Sequence, residues 1–474
     1  IFLGGFQGGF GMGLGILQHL QRLGVAGFHL VGDLGQNFLI AAFRLFHQLA
    51  VGLQQLVRFF LGLVGQLLNL GGGLFHQLLA DGLQAEERWV KIAGRSLKAA
   101  PESERALARE RFLTGIPMGE VYVARGQTRR VATLVLRSLA LAEQAEDAAL
   151  RVMSSVGLGI FAELLGLRRI SDGLFRRGER YLQGLSDPRA QLEYLRISGL
   201  LLLGRGELTQ AEQRLQAALR CADELDEEEQ RLLVTTLLAS HAGLRGERAL
   251  IERRARALEL AAAPSQHPQY LSAGWLYQAL AALRAGDLAD AAVALDAAAA
   301  QQRISRLPAL DFCLDTRRGL LALRRMDRPA AVHSTEQALA KLPQLPVYTP
   351  AHVHYFGSLI EVCLGLVEAV ESRSERARFL LAAESTLGSL RTLVRRHPVA
   401  QGPCWLYEGR LAELQGNRER ARLLLARARA RAELHGLPLD LALARRALGK
   451  LDQDTTDPAA ARHAREHLAA AAAL

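Results

Sequence analysis

The stretches WLYQALAALRAGDLADAAVALDAAAA (Trp275–Ala300) and WLYEGRLAELQGNRERARLLLARARA (Trp405–Ala430) decide the fold. In each, two apolar-periodic runs flank a single glycine, and the apolar spacing of three and four is that of an amphipathic helix. Working outward from Gly286, turn glycines stand at Gly126, Gly166, Gly206 and Gly246, each forty residues from the next. Met326-Asp327 continues the series, and two looser copies turn at Ser372 and Gly416. A fixed period of this length means stacked supersecondary units.

The columns around each turn repeat as well. Seven residues before it stands a small residue: Gly119, Gly159, Gly199, Ala239, Ala279, Gly319, Gly365 and Gly409. Two helical turns from the corner, it lets a neighbouring helix approach closely. Five, nine and twelve residues after the turn come sets such as Ala211, Leu215 and Ala218, or Ala421, Leu425 and Ala428. Those offsets share one face of a second helix. Ile251, Thr335 and Glu384 break the columns. Each unit is expected to be a helical hairpin, giving an all-α superhelical solenoid of about eight hairpins.

The pattern of a small residue, a turn glycine, alanine, a bulky residue and alanine resembles the tetratricopeptide repeat over residues 115–432. Trp275 and Trp405, eleven before their turns, stand where that family carries an aromatic, and Pro343 matches its helix-ending proline. The period is longer than is usual for the family. The resemblance implies a curved array whose concave side, built from the first helices, binds protein or peptide. The ending Gly436–Leu451 with the ARHAREHLAAAAAL tail is similar to the last helical region of large bacterial signalling proteins. That second resemblance implies an alternative role in signal transduction, as the C-terminal sensor of a serine/threonine kinase or nucleotide-switch ATPase whose catalytic part is not in this chain.

The chain divides into residues 1–85, a leading helix in 86–114, repeats over 115–436 and capping helices over 437–474. Residues 1–85 hold 18 of the 44 glycines and 10 of the 16 phenylalanines, with only Arg22, Asp33, Arg44, Arg58 and Asp81 charged. Two readings stand for them: a frame read opposite an Ala/Glu/Gln-rich helical gene, or a membrane-associated segment. Amides such as Gln66, Asn69 and Gln77 fit hydrocarbon poorly. No basic residue precedes the apolar start, as a secretory signal requires. The cytoplasm is the expected compartment, and a membrane partner is expected only if residues 1–85 are genuine.

Chemistry is hard to find. The formal charge is +10, but the basic residues are nearly all Arg, with Lys only at Lys91, Lys98, Lys341 and Lys450. No lysine sits in a phosphate-binding loop, and no kinase signature occurs. Cys221, Cys313, Cys363 and Cys404 are isolated and read as buried apolar residues rather than zinc ligands. His352 and His354 form the only close histidine pair, at an offset that points them to different sides of a helix. The pairs Arg253-Arg254, Arg317-Arg318, Arg324-Arg325 and Arg395-Arg396 alternate with acids and read as solvated faces rather than a phosphate stripe. No catalytic, metal or cofactor residue is assigned, no cofactor is expected, and neither enzyme activity nor nucleic-acid binding is expected. The candidate partner-binding face is Arg196, Leu200, Leu203, Thr236, Ser240, Leu280, Leu283, Leu320 and Leu323, on the first helices that turn at Gly206, Gly246, Gly286 and Met326.

Overall fold

The computed structural model describes residues 101–124, 127–345 and 349–453, with helical positions at 462, 465–469 and 471. Residues 1–85, the leading helix expected before residue 101, the turn at Gly126 and most of the second capping helix lie outside the described residues.

Among the described residues there are seventeen α-helices and no strand. They form eight hairpins in chain order: α1 Glu102–Ala124 with α2 Thr128–Gln144, α3 Ala148–Leu164 with α4 Arg168–Leu182, α5 Pro188–Arg205 with α6 Leu208–Glu224, and α7 Glu228–Arg245 with α8 Arg248–Ala262. The series continues with α9 Pro268–Ala285 and α10 Leu288–Ser305, α11 Pro308–Arg324 and α12 Arg328–Lys341, α13 His352–Ala369 and α14 Arg373–Arg396, and α15 Gln401–Leu414 and α16 Arg418–His435. Helix α17, Pro438–Gln453, closes it. Each helix packs on its neighbours in sequence, and the odd-numbered helices also pack on one another. The described residues thus form an all-α helical-repeat solenoid. The boundary drawn at residue 114 falls inside α1, the first helix of the first hairpin.

The corners follow from local chemistry. Gly206 and Gly286 adopt φ values of +84° and +83°, and the residue after each donates to a carbonyl five back: Glu207 N to Leu202 O at 3.0 Å, Asp287 N to Ala282 O at 2.9 Å. This is the left-handed helix stop for which glycine is suited. Met326 makes the same turn with φ +59°. The corners between hairpins are left-handed too, at Glu146, Asp226, Gln266 and Arg306. Pro188, Pro268 and Pro308 then open α5, α9 and α11, where a missing N–H costs nothing. Asp147 and Asp187 cap α3 and α5 by accepting two backbone N–H bonds each.

The small column serves the crossing inside the hairpin. A Cβ on Gly159 would lie 2.8 Å from Phe175, on Gly199 2.8 Å from Leu215, and on Gly409 2.8 Å from Leu425. The residue nine past the turn is therefore the knob that fills the glycine's notch. In the hairpin that turns near Ser372 the register moves. Leu381 is 72% exposed and Glu384 is exposed, while Phe379, Ala383 and Thr386 are buried instead. Its corner is an extended Val370 rather than a left-handed glycine, and Gly365 meets Leu323 of the previous inner helix.

Arginines tie each repeat to the next. Arg205 bonds Glu163 at 2.7 Å, Arg254 bonds Glu212 at 2.9 Å and Arg410 bonds Glu368 at 3.3 Å, each pair separated by 42 residues. Arg378 and Glu336 pair at the same separation. Arg284, Arg317 and Arg324 reach back 41 residues to the carbonyls of Gly243, Leu276 and Leu283. The arginine pairs read as solvated faces thus need correcting. Arg317 is 1% exposed, Arg254 and Arg324 join adjacent repeats, and Arg318 pairs with Asp296 at 3.5 Å.

Candidate binding face

The odd-numbered helices form the inner layer, and their curvature is tight. Helix α7 touches α13, two hairpins beyond its immediate neighbour α9, and α5 touches the turn Pro398–Ala400 that precedes α15. His435 Nδ1, at the end of α16, donates to Gly206 O at 3.1 Å across 229 residues. Leu439 of α17 packs on Gly246. Hairpins distant in sequence therefore meet on the inner side and cover it.

The nine inner-face candidates sit accordingly. Leu203, Ser240, Leu280, Leu283 and Leu320 are buried, as is Arg196, whose guanidinium is held by Glu193 at 2.6 Å. Leu200, Thr236 and Leu323 are half-buried. Thr236 bonds the Leu232 carbonyl of its own helix at 2.9 Å, and Leu323 packs on Gly365. The structure brings the four helices α5, α7, α9 and α11 side by side, as expected, but most of the leucines face protein rather than an open groove.

At the centre lies a polar cluster that the sequence reading passed over. The Arg317 guanidinium stacks between Tyr277 and Tyr355, 5.7 and 5.8 Å from the ring centroids, and donates to Leu276 O. Its Nε and Nη2 have no hydrogen-bond partner among the described residues. Two aromatic faces and a carbonyl therefore replace a carboxylate as its neutralising surroundings. His354 lies beside the Ser240 backbone, and burial together with Arg284 and Arg317 holds its pKa well below the ordinary value. Burial pushes Tyr277 up to about 12 and Cys313 up to about 11, so both are neutral and inert. Arg284 is drawn down to about 10 by burial, against the pull of Asp440. Glu361 and Tyr407 stand near it, and burial keeps Tyr407 neutral.

Cys313, Cys363 and Cys404 are buried as expected, whereas Cys221 is half-buried. His352 and His354 are both buried, and burial lowers His352 to about 4. No group of three metal-ligating side chains occurs among the described residues. No described helix is long and apolar enough to cross a membrane. A separate cleft of about 730 Å³ runs between α10 and α11, lined by Asp296, Asp311 and Asp315 against Arg303, Arg306 and Arg318. Balanced charges of both signs over an Ala299 and Leu314 floor suit a peptide better than a phosphate chain.

The one signal in the sequence for the buried cluster is its scarcity of charge. Helix α9 carries Arg284 alone among its eighteen residues, whereas Arg317 stands between Asp315-Thr316 and Arg318 and gives no such signal. No family model matches the chain, and no curated protein is similar to it.

Proposed function

We propose that the chain is a non-enzymatic, tetratricopeptide-like protein-interaction scaffold acting in the cytoplasm, with a protein or peptide as its partner. The observation that carries this reading is the inner layer: odd-numbered helices stacked side by side, with Leu200, Thr236 and Leu323 only half-buried and Arg284, Glu361 and Asp440 bringing both signs of charge near one another. Apolar contacts beside both signs of charge suit an amphipathic segment whose own charges set its register. The arginines support protein over nucleic acid, because many are already bonded to carboxylates or carbonyls of the adjacent repeat.

Photo-cross-linking residues placed at Leu200, Thr236 and Leu323, with controls at the exposed outer positions Leu260 and Val293, test the reading. Capture of one partner from the inner set, lost when Glu361 is changed to Lys, is the expected result. Capture from the controls alone, or salt-sensitive retention on DNA, would overturn it.

A further inference from the structure

Histidines fill the notches that glycines leave where distant hairpins meet. A Cβ on Gly204 would lie 2.5 Å from His397 Nδ1, on Gly206 2.6 Å from His435 Nδ1, and on Gly243 2.7 Å from His354 Nε2. The glycines lie at the C-terminal ends of α5 and α7, and the histidines come from the end of α14, the end of α16 and the first turn of α13. Neutral imidazoles fit there better than charged ones. His435 uses Nδ1 to donate to Gly206 O, and its Nε2 is buried without a partner. His354 Nε2 is likewise buried without a partner. A proton added to either ring would create a buried N–H with no acceptor and a charge with little to balance it.

The surroundings make that charge worse. Around His354, α9 supplies Arg284 and neutral Tyr277, α11 supplies Arg317, α7 supplies the Ser240 backbone, and α15 supplies neutral Tyr407 beside Gly357. His241, also on α7, is buried and faces Glu212, Arg245 and Arg254. Around His435 stand Arg431 on its own helix and, in its favour, Glu207 at the α5–α6 corner.

We propose that the contact joining the ends of α5 and α7 to α13 and the ends of α14, α16 and α17 is a proton-sensitive latch: neutral His354 and His435 hold the array closed, and protonating them parts it and uncovers the inner face. The latch concerns the shape of the chain alone, so it stands apart from the choice of partner.

The sign follows from linkage. Burial is the main cause that lowers both imidazoles below the ordinary 6.5, aided at His354 by Arg284 and Arg317 and at His435 by Arg431. The closed form therefore binds fewer protons than the parted form. Closure is complete above the ordinary value and is lost as pH falls below it. Asp440, next to Leu439 on Gly246, works in the opposite sense. Burial raises it to about 6 against the pull of Arg284, so the closed form takes up a proton there and the switch is blunted.

The test is a distance between spin labels on Thr209→Cys and Leu434→Cys, both exposed and on opposite sides of the Gly206–His435 contact, in a Cys221→Ser background. One short distance at pH 8 and a longer one gained by about pH 5, with far-ultraviolet circular dichroism unchanged, is the expected result. His354→Gln with His435→Gln keeps the short distance at both pH values, and Asp440→Asn, neutral at every pH as the closed form prefers, moves the midpoint downward. Should the double variant fail to fold, His435→Gln alone must lower the midpoint. An unchanged wild-type distance, an unmoved midpoint in the histidine variants, or helix lost at the same midpoint as the distance would overturn the latch.

Discussion

Helices α13 and α10 are both eighteen residues long, yet α13 buries fourteen of its residues and α10 buries five. The five in α10, from Ala291 to Gln302, make one stripe against α9, as an outer helix of a solenoid should. In α13 the buried set runs from His352 through Val367 on every side, because α7 and α11 close over the face that an open array leaves to solvent. The difference teaches that a repeat pattern specifies the hairpin, whereas the curvature decides how much of each inner helix is core.

Four sets of substitutions probe that contrast, in falling order of effect. Phe356→Ala, at a fully buried inner position, should cost about 3–5 kcal/mol in urea unfolding, while Leu381→Ala on the exposed side of α14 should stay within about 0.5 kcal/mol. Similar costs at both would dissolve the distinction between inner and outer layers. Glu163, 3% exposed and bonded by Arg205 one repeat away, comes next. Glu163→Gln should cost about 1.5–3 kcal/mol, against about 0–1 kcal/mol for Arg378→Gln in the exposed pair with Glu336. Gly199→Ala should cost about 1–3 kcal/mol by crowding Leu215, and a double-mutant cycle with Leu215→Ala should return part of it. Finally Met326→Gly, which removes a side chain from a left-handed, 87% exposed corner, should stabilise by about 0.5–1 kcal/mol. A loss on calorimetry would mean that the corner is not what limits this turn.

The hairpins and their crossings were legible because they are local. Gly206 and Gly286 are needed for a backbone that few other residues adopt, and Gly199 stands two turns away from its own corner. The left-handed corners at Asp226, Gln266 and Arg306 were not, since no glycine marks them. The register of α14 was lost for the same reason: Val370 and Ser372 end one helix and start the next without a glycine between them. The candidate face was legible as a set of helices and not as a surface. Leu283 and Leu320 look alike whether they face a groove or a neighbouring hairpin, and only the meeting of His435 with Gly206, 229 residues apart, decides between the two. Arg317 was misread because a guanidinium inside protein normally finds a carboxylate, and here two tyrosine rings take that place.

The contact between His435 and Gly206 also bears on how the chain reaches its native state. Stacked hairpins form through neighbours and can grow from any point, so their assembly is fast and tolerant of where it begins. A contact across 229 residues has no such freedom. It must wait until the hairpins between are in place with the right curvature, because its loop is closed by their packing and not by chance encounter. The last event in folding is therefore a registration step in which small errors of pitch, summed over five hairpins, decide whether the two ends of the curve meet.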